Sequence, residues 1–156
     1  MRKPANSNIY SYAADAAHEL YAPFLNGAAD GRVCVVCAQP ASSAVAIALE
    51  SSFRKLGYGD DPCLYISLAE NAGEEPFLEG QALLSLIEAF DPRVLVAADA
   101  TAANILASAY RHPVDVDTCT RLFGRTCIAF ASFEGMLADS AAKQRAWALL
   151  KKVDLS

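Results

Sequence analysis

Glycine-rich runs are missing from this chain; its 8 glycines are scattered over 156 residues. That excludes a P-loop and a dinucleotide-binding fingerprint, which need clustered glycines so that backbone amides can approach phosphate. No apolar run approaches the roughly 18 residues of a membrane span. Arg2 and Lys3 are not followed by the apolar stretch of a signal peptide. Positive charge is in deficit, with 13 Lys+Arg against 18 Asp+Glu, a net charge of −5 and a pI near 4.9. Strong nonspecific DNA binding is therefore not expected, because it needs a cationic face that releases phosphate counterions. Histidine is scarce too: His18 and His112 have no second ligand at metal spacing, and no metal or cofactor is expected.

What is present is an ordinary globular composition, 54% hydrophobic and 20% charged, in a length that suits one domain over residues 1–156. No internal repeat, low-complexity tract or Pro/Gly linker divides it. The charge is uneven. Residues 1–120 hold 7 Lys+Arg against 15 Asp+Glu, whereas 121–156 hold 6 against 3. The late cations Lys143, Arg145, Lys151 and Lys152 suit the solvated side and C-terminal end of a last helix. The 5 cysteines are odd in number and mostly sit in apolar runs, as reduced buried thiols do in a cytoplasmic protein. Cys34-Val35-Val36-Cys37 fits C-x-x-C only on paper. Residues three apart on a strand point to opposite faces, so the pair cannot close on one metal or disulfide. Cys37, at the strand end, is the thiol expected to be accessible.

Four continuous apolar runs, 33–38, 63–68, 93–98 and 126–131, predict parallel strands covered on both faces. Helical patterns separate them: about 9–25 before the first, then 42–56, 77–90, 99–110 capped by Asp99, and a last helix capped by Ser140 and running to Lys152. Strands alternating with helices predict a three-layer α/β/α sandwich with a short four-stranded parallel sheet.

Ligands of such sheets collect beyond the carboxyl ends of the strands. After the first strand, Gln39 and Ser42 are candidate ligand contacts, although Ser42 also serves as a plain helix cap. After the second, Asn71 offers an amide that can pair with a base edge, or is a turn residue. After the third, Asp99 is a helix cap or a catalytic carboxylate. After the fourth come Ser132, Phe133 and Glu134. Glu134 is a candidate acid or base, Phe133 stacks on a ligand or packs under the last helix, and Ser132 has no histidine near it to make it a nucleophile.

The segment Pro92-Arg93-Val94-Leu95-Val96-Ala97-Ala98-Asp99-Ala100-Thr101-Ala102-Ala103-Asn104-Ile105-Leu106 resembles the strand–helix unit P-x-v-i-v-a-l-G-x-t-A-x-x-l of the uracil-DNA glycosylase-like superfamily. Ile128 to Leu150 is similar to that superfamily's last strand, its H-P-S-x-L loop and a K-x-x-A-W helix, matched at Lys143, Ala146, Trp147 and Leu150, with Leu137 one place beyond the loop's leucine. Val35 to Ala41 resembles its first G-x-A-P-A loop, with Pro40 aligned. The resemblance spans about 33–150 and implies a glycosylase-like fold. It also implies where function is lost. The water-activating position falls on Ala38, the base-reading Asn on Leu68, and the His-Pro-Ser triplet on Ser132, Phe133 and Glu134. The early P-F-x-G segment has no clear counterpart, since Pro76-Phe77 comes too late. Losing a positioned acid–base group costs about 10²–10⁴ in rate. The expectation is a diverged member without glycosylase activity that binds a small nucleobase-like or anionic ligand through Gln39, Ser42, Asn71, Asp99, Ser132 and Glu134. Two alternatives stand beside it: an active base-excision enzyme using Glu134 or Asp99, and a homo-oligomeric subunit packing through Ala-rich helices.

Overall fold

A computed structural model describes residues 5–78 and 80–155, with side chains from 13 to 153 apart from residue 79. The chain is α/β. Six strands form one mixed sheet in the order β1-β3-β2-β4-β6-β5. They are β1 (Leu25–Gly27), β2 (Val33–Cys37), β3 (Cys63–Ser67), β4 (Val94–Ala97), β5 (Thr118–Leu122) and β6 (Arg125–Ala129). The helices are α1 (Ala5–Leu20), α2 (Ser43–Lys55), α3 (Gly80–Phe90), α4 (Ala100–Tyr110), the short α5 (Phe133–Met136) and α6 (Ser140–Leu150).

The four apolar runs become β3, β2, β4 and β6, which pair in parallel at the centre of the sheet. Every residue of these four strands is buried, which is why their sequences are continuous rather than alternating. The sheet is nevertheless not four-stranded. β1 adds antiparallel to β3 at one edge, and β5 adds antiparallel to β6 at the other. β5 and β6 form a hairpin whose turn residues Phe123 and Gly124 both have positive φ, +49° and +85°. That is the backbone hand that matches strand twist.

Helices cover both faces of the sheet. Leu83, Leu86 and Ile87 of α3 and Ala102, Ala103 and Leu106 of α4 pack on Cys34, Val36, Leu64, Leu95 and Cys127. On the opposite face, Val45, Leu49 and Phe53 of α2 recur every four residues and meet Val33, Val35, Tyr65, Val96 and Ile128, together with Phe133 of α5 and Leu150 of α6. Cys34 and Cys37 thus belong to different cores, on opposite faces of β2.

Local signals explain the helix starts. Ser42 Oγ accepts from the Val45 amide and Asp99 Oδ1 from the Ala102 amide. The last helix differs from expectation: its cap is Asp139, whose carboxylate accepts from the Ala142 amide at 2.9 Å, with Ser140 already inside the helix. The first helix ends at Leu20, and residues 22–25, expected in its last turn, form a short 3-10 turn at Pro23 and the start of β1. No helix among the described residues is long and apolar enough to cross a membrane.

At the end of the sheet away from the strand C-termini, Arg125 is the main buried charge. Its guanidinium donates to the Pro92 carbonyl at 2.8 Å, to Asp91 Oδ1 at 2.7 Å and to Glu88 Oε2. Tyr110 donates its hydroxyl proton to the same Glu88 oxygen at 2.8 Å. This network ties α3, α4 and the start of β6 together. The carboxylates outweigh the cost of burying Arg125 and hold its pKa above the ordinary arginine value.

Candidate functional site

β2 connects through α2 to β3 on one side, and β3 returns through α3 to β4 on the other side of β2. Adjacent strands whose connections diverge leave a crevice at their carboxyl ends. A cleft of about 430 Å³ opens there, lined from the loops after β2, β4 and β6. Gln39, Ser42, Asp99, Ser132 and Glu134 all line it, so five of the six residues singled out from the sequence come together. Asn71 does not. It is exposed on the loop after β3, where its backbone amide donates to Glu74 Oε1 at 2.9 Å, and it lies outside the cleft lining.

The floor of the cleft is tied together by backbone bonds. The Phe133 amide donates to the Ala98 carbonyl at 2.8 Å, and the Ala100 amide to the Ala131 carbonyl at 3.1 Å. Asp99 and Ser132 form an isolated antiparallel bridge. The loops after β4 and β6 are therefore bonded directly to each other.

Both Asp99 oxygens are already engaged. Oδ1 caps α4 through Ala102, and Oδ2 accepts from the Ala38 amide at 2.9 Å, across 61 residues of sequence. Ser132 Oγ accepts from the Gly135 amide at 3.0 Å as the cap of α5. Glu134 is different. It sits in the first turn of α5, exposed, with no side-chain hydrogen bond among the described residues. Gln39 is likewise exposed and unengaged at the rim. Thr101, an exposed lining residue, was not among the expected contacts, although it stands two positions after the capping Asp99 and on the t of the strand–helix unit.

The other sequence candidates resolve by burial. Phe133 is buried and tilted against Phe130 at 5.0 Å between ring centres, so it packs in the core beneath the last helix and is absent from the lining of the strand-end cleft. Leu68 is fully buried, with its amide bonded to the Cys37 carbonyl at 2.8 Å. Cys37 is buried rather than accessible, and Cys119 is the one partly exposed thiol. Burial, with the nearby Asp99 and Glu134 charges adding to it, pushes the Cys37 thiol up to about 12. It is protonated and a poor nucleophile at neutral pH.

Asp99 and Glu134 are the charged residues of the lining, and no Lys, Arg or His joins them. No three-residue His/Cys/Asp/Glu cluster fit for a metal occurs among the described residues. A smaller depression of about 220 Å³ adjoins the cleft, sharing Cys37, Pro40 and Ala41 with it and adding Phe24, Asn26 and Ser67. No protein-family model matches this chain, and no curated protein matches it significantly.

Proposed function

We propose that this chain is a uracil-DNA glycosylase-like domain that has lost base excision and binds a small, neutral, nucleobase-like ligand in the strand-end cleft. The observation that carries the reading is the double engagement of Asp99. With each oxygen held by a backbone N–H bond, the Asp99 carboxylate is fixed between the Ala38 and Ala102 amides, and swinging it onto a substrate water would break one of those bonds. Ser132 is occupied as a cap, and the lining has no histidine or cation to stabilise a departing base anion.

What remains for recognition is a donor–acceptor pair at the rim. The Gln39 amide donates and accepts, and the Glu134 carboxylate accepts two N–H bonds. A heterocycle with an amino group or ring N–H complements that pair. An anion is disfavoured, because both charged lining residues are acids. The cleft volume falls within the roughly 300–1,000 Å³ range of small-molecule sites.

The test is a titration of free nucleobases and nucleosides into the labelled protein, followed by amide and side-chain NMR shifts. Saturable shifts at Gln39, Thr101 and Glu134, lost in Glu134→Gln and Gln39→Ala, support the reading. Saturable binding of phosphate-bearing nucleotides alone, indifferent to Glu134→Gln, contradicts it.

A further inference from the structure

Two surface features of opposite charge lie on opposite layers of the fold. On one layer, α2 and α6 leave an open groove of about 610 Å³ between them, with Phe133, Leu137 and Trp147 along it. Ile47 stands at its edge, 68% exposed. The charged residues lining the groove are Lys55 and Lys143, with no acid among the lining residues of a chain whose net charge is −5. A third amine, Lys151 Nζ, lies 5.8 Å from the Trp147 ring centre.

On the other layer, the loop between β3 and α3 presents Phe77, 75% exposed. This ring is held in place. The Phe77 amide donates to the Leu68 carbonyl at 2.6 Å, and the next residue, Leu78, is buried in the core beneath α3. One face of Phe77 stacks on Phe24, with ring centres 5.7 Å apart and 7° between planes. Glu70, Glu74 and Glu75 surround the pair. A single exposed aromatic needs no explanation. Here the exposed ring has an acidic collar, and the same molecule carries an apolar groove with an amine collar.

We propose that the Phe77 loop of one copy seats in the α2–α6 groove of a second copy. Phe77 is the anchor on Ile47 and Trp147, and its flanking glutamates face Lys55 and Lys143. A fixed aromatic loses little side-chain entropy on docking, and such rings dominate interface energies. The charge collars supply register and salt dependence. Because loop and groove lie on opposite layers, the contact is head-to-tail. Each added copy leaves one loop and one groove free, so assembly extends past the dimer.

The test is sedimentation equilibrium of the full chain at low salt. The weight-average mass rises with concentration beyond twice the 16.6 kDa of one copy. It falls back toward one copy at about 1 M salt, where the Debye length is about 3 Å. Phe77→Ser alone, and Lys55→Glu with Lys143→Glu, each abolish the association. Both change exposed side chains, and unfolding curves matched to the parent show that the fold is kept. Mixed together, these variants form a one-to-one dimer and nothing larger, since one keeps the groove and the other the loop. A parent that stays monomeric at low salt, association that survives Phe77→Ser, or a mixture that remains monomeric overturns the proposal. If the glutamate pair unfolds the groove, Trp147→Ser replaces it with the same expected outcomes.

Discussion

Asp99 Oδ2 accepts the Ala38 amide proton at 2.9 Å while Oδ1 of the same carboxylate caps α4 at 2.8 Å. One side chain thus fixes both walls of the strand-end crevice. Asp99→Ala removes a helix cap, worth about 1 kcal/mol, and a charge-assisted bond worth about 1.5 kcal/mol. Because Asp99 is partly exposed, the expected total is about 2 kcal/mol in urea unfolding. Asp99→Asn keeps an oxygen for the cap but turns an amide donor toward the Ala38 donor, and it costs roughly half as much. An Asp99→Ala cost below about 0.5 kcal/mol would mean that neither bond is stabilising.

Arg125 gives a second contrast. Its side chain is 10% exposed, whereas Asp91 is 70% exposed and Glu88 47%. Arg125→Met leaves the Pro92 carbonyl without its donor and costs about 2 kcal/mol, discounted from the larger figures for fully buried pairs because both acids reach water. Asp91→Ala costs under about 1 kcal/mol, since its carboxylate is mostly solvated. Equal costs for the two substitutions in denaturant unfolding would contradict this ranking.

The hairpin turn supplies a third, purely backbone prediction. Gly124 has φ +85° and nothing within 4 Å of where a Cβ would sit. Gly124→Ala therefore costs about 1 kcal/mol from the left-handed conformation alone. Gly124→Asn, a residue that tolerates that region, costs less. Thermal unfolding of the two variants checks the order.

The thiols govern alkaline stability. Burial pushes Cys34, Cys37, Cys63 and Cys127 from an ordinary 9.0 up to about 12. Between those values the unfolded chain has lost protons that the folded chain keeps. Stability is thus intact below about pH 9 and falls as pH rises toward 12. Cys34→Ala has a shallower fall than the parent over that window, whatever its stability at neutral pH. Under native conditions iodoacetamide modifies Cys119 first, because it is the partly exposed thiol. Peptide mapping that finds Cys37 modified first would contradict the burial of the cleft floor.

The legible parts of the fold were those written locally. The buried strands announced themselves as continuous apolar runs, and Ser42 and Asp99 as caps sitting just before apolar-periodic segments. The edge strands were not legible for the converse reason. Leu25-Asn26-Gly27 is three residues with turn-forming letters, and Thr118 to Leu122 is half exposed, so neither makes a continuous apolar run. Asp139 and Ser140 are both good caps side by side, and sequence alone does not rank them. The cleft was legible as strand ends, which bring Gln39, Ser42, Asp99, Ser132 and Glu134 together without any pairing knowledge. Asn71 failed because the chain runs on from β3 in an exposed loop, through Asn71 to Glu74, before α3 begins. The tether from Asp99 to Ala38 and the Arg125 network join residues 33 to 61 positions apart, and no spacing rule reports such contacts.

The proposed loss of base excision is tested most directly by a single-turnover assay, with protein in excess over oligonucleotides containing uracil, hypoxanthine or xanthine. No abasic product above buffer is expected from any of the three. Product formation that is abolished by Glu134→Gln would contradict the proposed loss and make Glu134 a working general base.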